Sequence, residues 1–374
     1  MNANPNGRRP GTSNDRSRGS ARRSTAAVSA SRRALLAGLA SAFAVSSFLP
    51  FGAALFAAPV SPTKISLAVG GKATLYYLPL TLAERLGYFR EEGLEVEISD
   101  FSGGSRSLQA LLGGSAEVVA GAYEHTIEMA TMGQRLKAFV LLGRNPGISL
   151  GIAKAKAASY QWPKDLKGMR VGVTAPGSST NMMVDHLLHS VGLKPDDVSI
   201  VGVGTGPSAV AAMRSGELDA LVNVEPAMRL LERSGDIVVV AVSATQRGVK
   251  NVFDGPMLAG SLYARADFLR DRPEAAQALA NAMVRTLLWL QHATPEQIAA
   301  AVPPEYLLGD KALYLDALTR VMPTYSPDGL IAPSGVKHSY DVLATHNAGV
   351  RRALLKLDQT FDNAFVEKAL QKYR

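Results

Sequence analysis

One segment of this chain occurs twice, and the repetition narrows the folds open to it. From Gly103 the chain reads GGSRSLQALLGGSAEV, and from Gly204 it reads GTGPSAVAAMRSGELDAL. With Gly114 set on Gly216 the two align without a gap. Gly104 then falls on Gly206, Leu108 on Val210, Leu111 on Met213 and Glu117 on Asp219. Each copy is a Gly-rich loop, a short helix with apolar residues three and four apart, a turn glycine and an apolar strand. The likeness extends outwards. Residues 64–121 and 169–224 both read strand, loop, helix, turn, strand, Gly-rich loop, helix, strand. Gly93-Leu94 and Gly192-Leu193 close the first helical stretch of each copy.

The apolar runs that read as strands are 64–70, 96–101, 116–121 and 137–143, then 149–155, 169–174, 198–204, 218–224 and 237–243. Helices are expected at 78–91 and 180–191 between them. Continuous apolar runs alternating with helices predict an α/β chain whose parallel sheets are covered on both faces. Beyond Gly260 the pattern becomes helical. Residues 266–300 read as two helices, with Pro273 in a first turn and Thr294-Pro295 opening the second. Further helices are expected near 310–320 and 337–372. No strand run is legible in this tail, so it must pack on one of the two α/β units.

The formal charge of +8 on 374 residues suggests a nucleic-acid binder until its distribution is read. Residues 1–34 hold eight arginines and Asp15, and nothing from 35 to 63 is charged, so residues 64–374 are almost neutral. Nucleic acid needs positive charge on the folded face, and none is expected as a partner. The basic head runs into SRRALLAGLASAFAVSSFLPFGAALFAAPV, whose apolar run and trailing small residues read as an export signal over 1–57. Ser31-Arg32-Arg33 before Leu35 and Leu36 resembles a twin-arginine (Tat) signal, with a Sec signal as the alternative. Cleavage could follow Ala54, Ala57 or Ala58. Pro50 and the interspersed Gly and Ser disfavour an uncleaved anchor. The chain has no cysteine, so it has neither disulfides nor an N-terminal lipid-anchored cysteine. The expected location is the periplasm.

Enzyme signatures are sparse. GVGTGP from Gly202 is not a GxGxxG loop, and no GxxxxGK[ST] loop occurs. GISLG (Gly147, Ser149, Gly151) matches a nucleophile elbow in letters. An extended run follows Ser149, however, where that motif needs a helix. His186 and His189 lie three apart on one helix without an evident third ligand, which favours packed or surface histidines over a metal site. Four strand-to-helix joints are more suggestive: GGKATLYY (70–77), SGGSRS (102–107), APGSSTN (175–181) and GTGPS (204–208). Such joints point backbone N–H groups and helix N-termini at the carboxyl edge of a sheet, where doubly wound folds bind ligands.

With these segments together, the chain resembles the periplasmic solute-binding proteins of ABC importers for nitrate, sulfonates, taurine and thiamine-pyrimidine precursors. The resemblance is carried by YYLPLTLAERLGYFREEGLEVEI (76–98), GGSRSLQALLGGSAEVVAG (103–121), DLKGMRVGV (165–173) and SGELDALVNVEPA (215–227), and it extends over 64–300. It implies a two-lobed type II periplasmic-binding-protein fold, with two doubly wound sheets joined by two crossover segments and a helical C-terminal tail. Lobe one would comprise 64–148 plus 263–374, with the tail covering it, and lobe two 149–262. The crossovers would fall near 147–152 and 256–263.

The resemblance also implies the ligand residues: Tyr76, Tyr77, Gly104, Ser105, Tyr123 and Glu124 from lobe one, and Ser178, Ser179, Thr180, Asn223 and Glu225 from lobe two. Glu124 and Glu225 would repel an anion unless paired or protonated, or would accept bonds from an amine, amidine or hydroxyl. Arg106 is the nearest candidate countercharge. The implied protein is a monomeric, non-enzymatic binding component that delivers a small-molecule ligand to an inner-membrane ABC permease, without cofactor or metal. The alternatives are a pyrimidine-precursor synthase on the same fold and a ligand-loaded partner of a membrane sensor. If export uses the Tat route, changing Arg32 and Arg33 together to Lys leaves precursor in the cytoplasm. A normal periplasmic yield of that double variant would indicate Sec.

Overall fold

The computed structural model describes residues 61–374, so the export signal expected at 1–57 lies outside the described residues. The first half runs β1 (Thr63–Gly70), a single 3-10 turn (Leu75–Tyr77), α1 (Leu78–Arg85), α2 (Tyr88–Glu91), β2 (Leu94–Phe101), α3 (Gly104–Leu112), β3 (Val118–Ala122), α4 (Glu124–Thr131) and β4 (Leu136–Leu141). The second half repeats the scheme after one extra strand. It runs β5 (Ser149–Ala153), α5 (Lys154–Ala157), β6 (Arg170–Val173), α6 (Ser179–Ser190), β7 (Ser199–Gly202), α7 (Pro207–Arg214), β8 (Ala220–Asn223), α8 (Ala227–Arg233), β9 (Ile237–Val242) and α9 (Gln246–Phe253).

A tenth strand, β10 (Gly260–Arg265), then leads into the tail. The tail comprises α10 (Ala266–Asp271), α11 (Pro273–Leu290), α12 (Pro295–Ala301), α13 (Lys311–Val321), α14 (Pro333–His346), α15 (Ala348–Arg352) and α16 (Ala364–Tyr373). The single long helix expected over 337–372 is three helices. One break falls at Asn347, whose side chain accepts from the N–H groups of Gly349 and Val350 and so starts α15 afresh. Thr294 opens α12 with a reciprocal capping box to Gln297.

The two sheets have strand orders β2-β1-β3-β10-β4 and β7-β6-β8-β5-β9, the same order in both copies. The expectation of wholly parallel sheets needs correction. β10 is antiparallel to β3 and β4, and β5 is antiparallel to β8 and β9. The cause is the path of the chain. β4 and β9 end at the carboxyl edge of their sheets, and the chain crosses there. It therefore enters the other sheet from that edge, pairing Ser149 with Asn223 and Gly260 with Ala122. The division expected between 262 and 263 cuts through β10, which pairs along its length with the first sheet.

The tail does more than cover lobe one. α11 and α16 do pack on the first sheet, burying Leu279, Met283, Leu287 and Val366 in one core with Leu67 and Phe139. α13 and α14 reach the second half instead. Val336 and Leu343, two turns apart on α14, bury in one apolar cluster with Met183 and Leu187 of α6. Each such side chain contributes about 1.5–3 kcal/mol. Ser339 of α14 accepts from Leu258 N at 3.2 Å, and α13 pairs with α8 through Arg229–Asp316 at 2.6 Å and Arg320–Glu232 at 2.8 Å. The bond of α13 to the second half is thus ionic.

Within the first half, β1 ends against the start of α3 at backbone distance. A Cβ on Gly70 would fall 2.3 Å from the carbonyl carbon of Gly103 and 2.4 Å from the nitrogen of Gly104. No side-chain rotation relieves a clash with main chain. Gly70→Ala is expected to destabilise by about 3 kcal/mol in chemical denaturation. A loss within about 0.5 kcal/mol, the range of an ordinary surface substitution, would contradict this contact.

Candidate functional site

The carboxyl edges of the two sheets face each other, and in this structure they are closed together. Gly71, at φ 99°, stands against Thr205, whose Cγ2 would lie 2.8 Å from a Cβ there. A Cβ on Gly103 would lie 2.8 Å from that of Ala175. Hydrogen bonds cross the same seam: Leu75 N donates to Glu225 O at 3.0 Å, and Ser105 Oγ donates to Pro176 O at 2.8 Å. Between Tyr76, Tyr77 and Gly104 on one side and Thr174, Ser179 and Thr205 on the other, a cavity of about 30 Å³ remains. That is room for about one water molecule.

The joints expected to cradle an anion are largely satisfied from within. Gly71 N and Lys72 N both donate to Asp100 Oδ1 at 2.8 Å, so the chain's own carboxylate fills the first joint. At the third joint Thr174, Ser178 and Thr180 tie their hydroxyls to one another at 2.8–3.0 Å, and Ser178 Oγ also donates to Ala175 O. At the fourth, Asn223 Nδ2 donates to Gly204 O, and Asn223 Oδ1 accepts from Val224 N. Ser178, Thr180 and Asn223 therefore shape the loops. Ser105 spans the cleft, and its helix is preceded by Gly103 without a side-chain cap.

Two further expectations change. Tyr123 is fully buried, and its hydroxyl meets Thr360 Oγ1 at 2.7 Å, beneath the tail and away from the cavity. As the residue entering α4 it has already turned out of the strand direction, with φ −59°. Glu225 is buried, with its carboxylate held by Arg229 N at 2.7 Å and by Arg320 at 3.4 Å. Burial nevertheless pushes its pKa up to about 7, against the pull of Arg320.

What remains around the cavity is a compact group of buried polar atoms. The hydroxyl of Tyr76, Oε1 of Glu124 and Nε2 of His125 are all buried and have no hydrogen-bond partner. Tyr76 as a residue is half-buried, but its hydroxyl is sealed. His125 Cε1 would lie 3.3 Å from a Cβ on Gly104, and the Tyr77 hydroxyl 3.7 Å from it, which puts both against the cavity wall. His125 Nδ1 meets the Tyr263 hydroxyl at 3.0 Å, and the Tyr76 and Tyr77 rings pack edge to face at 4.8 Å. Desolvation lifts the Glu124 pKa to about 7, with the Ser179 hydroxyl pulling the other way, and lowers that of His125 to about 4.

No Lys or Arg lines this cavity. Lys72 is bound to Glu84 at 2.7 Å, and the exposed Arg106 to Gln109 at 3.1 Å. His125 and Tyr263 were missed by sequence reasoning. His125 directly follows Glu124 at a strand end, a signal that weighing histidines only as metal ligands overlooks. Tyr263 lies on β10, which was not legible. His186 packs against Phe253, with its ring nitrogen 3.3 Å from Thr345 Oγ1. Among the described residues no three His, Asp or Glu side chains come together around a possible metal ion.

A two-lobed α/β fold with a polar pocket at the facing sheet edges is the architecture of the periplasmic binding proteins. The chain belongs to the NMT1-like family, whose model matches residues 61–303. It is 46% identical to a protein of known structure from Bordetella bronchiseptica RB50, with a TM-score of 0.81, covering 84% of this chain and 98% of that one. The alkanesulfonate-binding protein SsuA from Xanthomonas axonopodis pv. citri, bound to MOPS, shares the fold at 17% identity, with a TM-score of 0.62 over 82% of this chain and 100% of its own. The 4-amino-5-hydroxymethyl-2-methylpyrimidine phosphate synthase of Schizosaccharomyces pombe is 30% identical over 167 residues, 44% of this chain. That match spans 46% of the synthase's length.

The raised pKa of Glu124 fixes a pH dependence. From its ordinary 4.5 to about 7, the folded protein holds this proton more tightly than the unfolded chain does. The stability it contributes is full below pH 4.5 and is lost as pH rises towards 7. Glu124→Gln has no proton to lose. Its stability relative to wild type should rise between pH 4.5 and 8 by roughly 3 kcal/mol at most, at about 1.36 kcal/mol per unit. Urea denaturation at the two pH values measures this, and a pH-independent difference would count against a buried, unpaired Glu124.

Proposed function

We propose that this chain is the extracytoplasmic solute-binding component of an ABC importer, closing its two lobes on a small polar organic solute. The observation that carries the reading is the group of buried, unpartnered polar atoms between the lobes. Tyr76, Glu124 and His125 each hold a buried polar atom with no direct hydrogen-bond partner, close to a cavity with room for about one water, and a ligand with matching groups would satisfy all three. The architecture and the family support the reading, and so does the export signal expected at 1–57. The solutes suggested by the family resemblance are sulfonates, taurine, nitrate and pyrimidine precursors. The proposed partner is an inner-membrane permease, met by a monomer after export, for which the twin-arginine pair is the proposed route.

A second reading, an enzyme related to the pyrimidine phosphate synthases, rests on the 30% identity to one of them and on the free imidazole nitrogen beside a titratable carboxyl. Recovering a bound solute unchanged, by mass spectrometry, favours the carrier. Recovering a converted product favours the enzyme.

The cavity in this closed form admits about one water molecule, so any organic solute requires the lobes to stand further apart before it enters. The expected result in solution scattering is a ligand-free protein with a larger radius of gyration than this structure, which contracts when solute binds. A solute at a hundred times its dissociation constant should also stabilise the fold by about 2.7 kcal/mol. An unchanged radius under verified saturation would rule out a hinged clamp.

A further inference from the structure

The electrostatics of the cleft decide between the two behaviours expected of its carboxyls, repelling an anion and accepting bonds from an amine or amidine. Glu124 is 2% exposed, and one of its carboxylate oxygens lacks any partner. Among the described residues no Lys, Arg or His nitrogen comes within 4.0 Å of it. Around it stand the Ser179 hydroxyl, which pulls its pKa down, and three phenols, Tyr76 and Tyr77 from the turn before α1 and Tyr263 from β10, each close enough for the carboxylate charge to raise its pKa. The first Gly-rich joint, the natural seat for an anion, already holds Asp100. Charge of the same sign continues outwards. Glu128 lies one turn further along α4, and Asp185 faces it from α6 with a buried oxygen that has no partner. Both line a second cavity of about 360 Å³, which shares Ser178 with the first.

A buried carboxylate with no countercharge is unfavourable alone and becomes favourable when a cation is brought to it. Phenol rings complete such a site, because their negative faces attract a cation while their hydroxyls accept its hydrogens. An anion would meet the opposite: no basic side chain in the cavity wall and a carboxyl forced to stay protonated.

We infer that the solute carries a protonated nitrogen, an organic ammonium or amidinium, which seats against Glu124 among Tyr76, Tyr77 and Tyr263. This rests on reading the cleft as the solute site, and it adds the charge class of the solute. Glu128 and Asp185 would draw such a cation towards the cleft before closure.

The test uses a matched set of probes, benzamidinium, benzamide and benzoate, with methylammonium and guanidinium as smaller cations, measured by isothermal titration calorimetry at pH 7. The expected result is that a cation binds at least tenfold more tightly than its neutral or anionic counterpart.

The titratable groups facing Glu124 and its neighbours are Tyr76 and Tyr77 from the turn, His125 and Glu128 on α4, Tyr263 on β10, Asp185 on α6 and His346 on α14, whose pKa burial lowers to about 4. Burial raises the pKa of Glu128 to about 7 and that of Asp185 to about 6. Glu124→Gln isolates the intended group. It should unfold cooperatively like wild type and lose the preference for the cation.

The inference is overturned if the neutral or anionic probe binds more tightly, if Glu124→Gln keeps the preference, or if no cation binds at millimolar concentration. Should a neutral or anionic solute bind and compact the protein, the charge assignment falls and the solute-carrier reading stands. Should no solute of any charge bind or compact it, both fall.

Discussion

The two halves of this protein meet across glycines that leave no room for a side chain, and most of its chemistry follows from that contact. Gly71 abuts Thr205 and Gly103 abuts Ala175 with no room for a Cβ. Within the first half, Gly70 sits equally close to the start of α3. Contacts this short bring the N-terminal ends of helices from both sheets into one small volume. They also require the loops to be built from glycine and small hydroxyl residues, which is the composition that repeats along the chain. The same closeness excludes water, so any polar atom left unpaired there is strongly penalised.

That penalty separates the parts of the cleft that hold the fold from the part available to a solute. Asp100, Asn223 and the hydroxyls of Thr174, Ser178 and Thr180 satisfy the loops from within. Ser105 and the main chain of Glu225 fasten one half to the other. The side chain of Glu225 turns away to Arg320 on the tail. Tyr76, Glu124 and His125 keep unspent hydrogen-bonding atoms, and all three belong to the first half. The clamp is therefore asymmetric. The first half offers the polar chemistry, while the second closes over it with Ser179 and Thr205 and is steadied by α13 and α14.

The repeat was legible because one geometric demand, a tight strand-to-helix joint at a sheet edge, imposes the same residues at both copies. Nine of the ten strands follow from their apolar runs for the same reason. β10 was not legible, because between Gly260-Ser261 and Arg265 its apolar run is only Leu262-Tyr263-Ala264. Its direction, like that of β5, depends on where the chain re-enters a sheet, which no local pattern records. The misplacement of Tyr123 has a related cause. Its alignment with Glu225 shows that both end equivalent strands, but not which way a side chain turns once the helix has begun. Glu124 was legible as a candidate and its partners were not. Tyr263 arrives from 138 residues beyond His125, and the lack of a countercharge is a property of the packed cleft.

The central claim is that Glu124 is a buried carboxyl without a countercharge in the closed cleft, and its own titration tests this most directly. Carbon-13 NMR of the glutamate side chains, with the Glu124 signal assigned by its absence from Glu124→Gln, would follow that one group in protein cross-linked with its lobes closed. The account predicts a midpoint near pH 7, as desolvation requires. A midpoint at the ordinary 4.5 would contradict it, because the carboxyl would then be either solvated or paired with a cation.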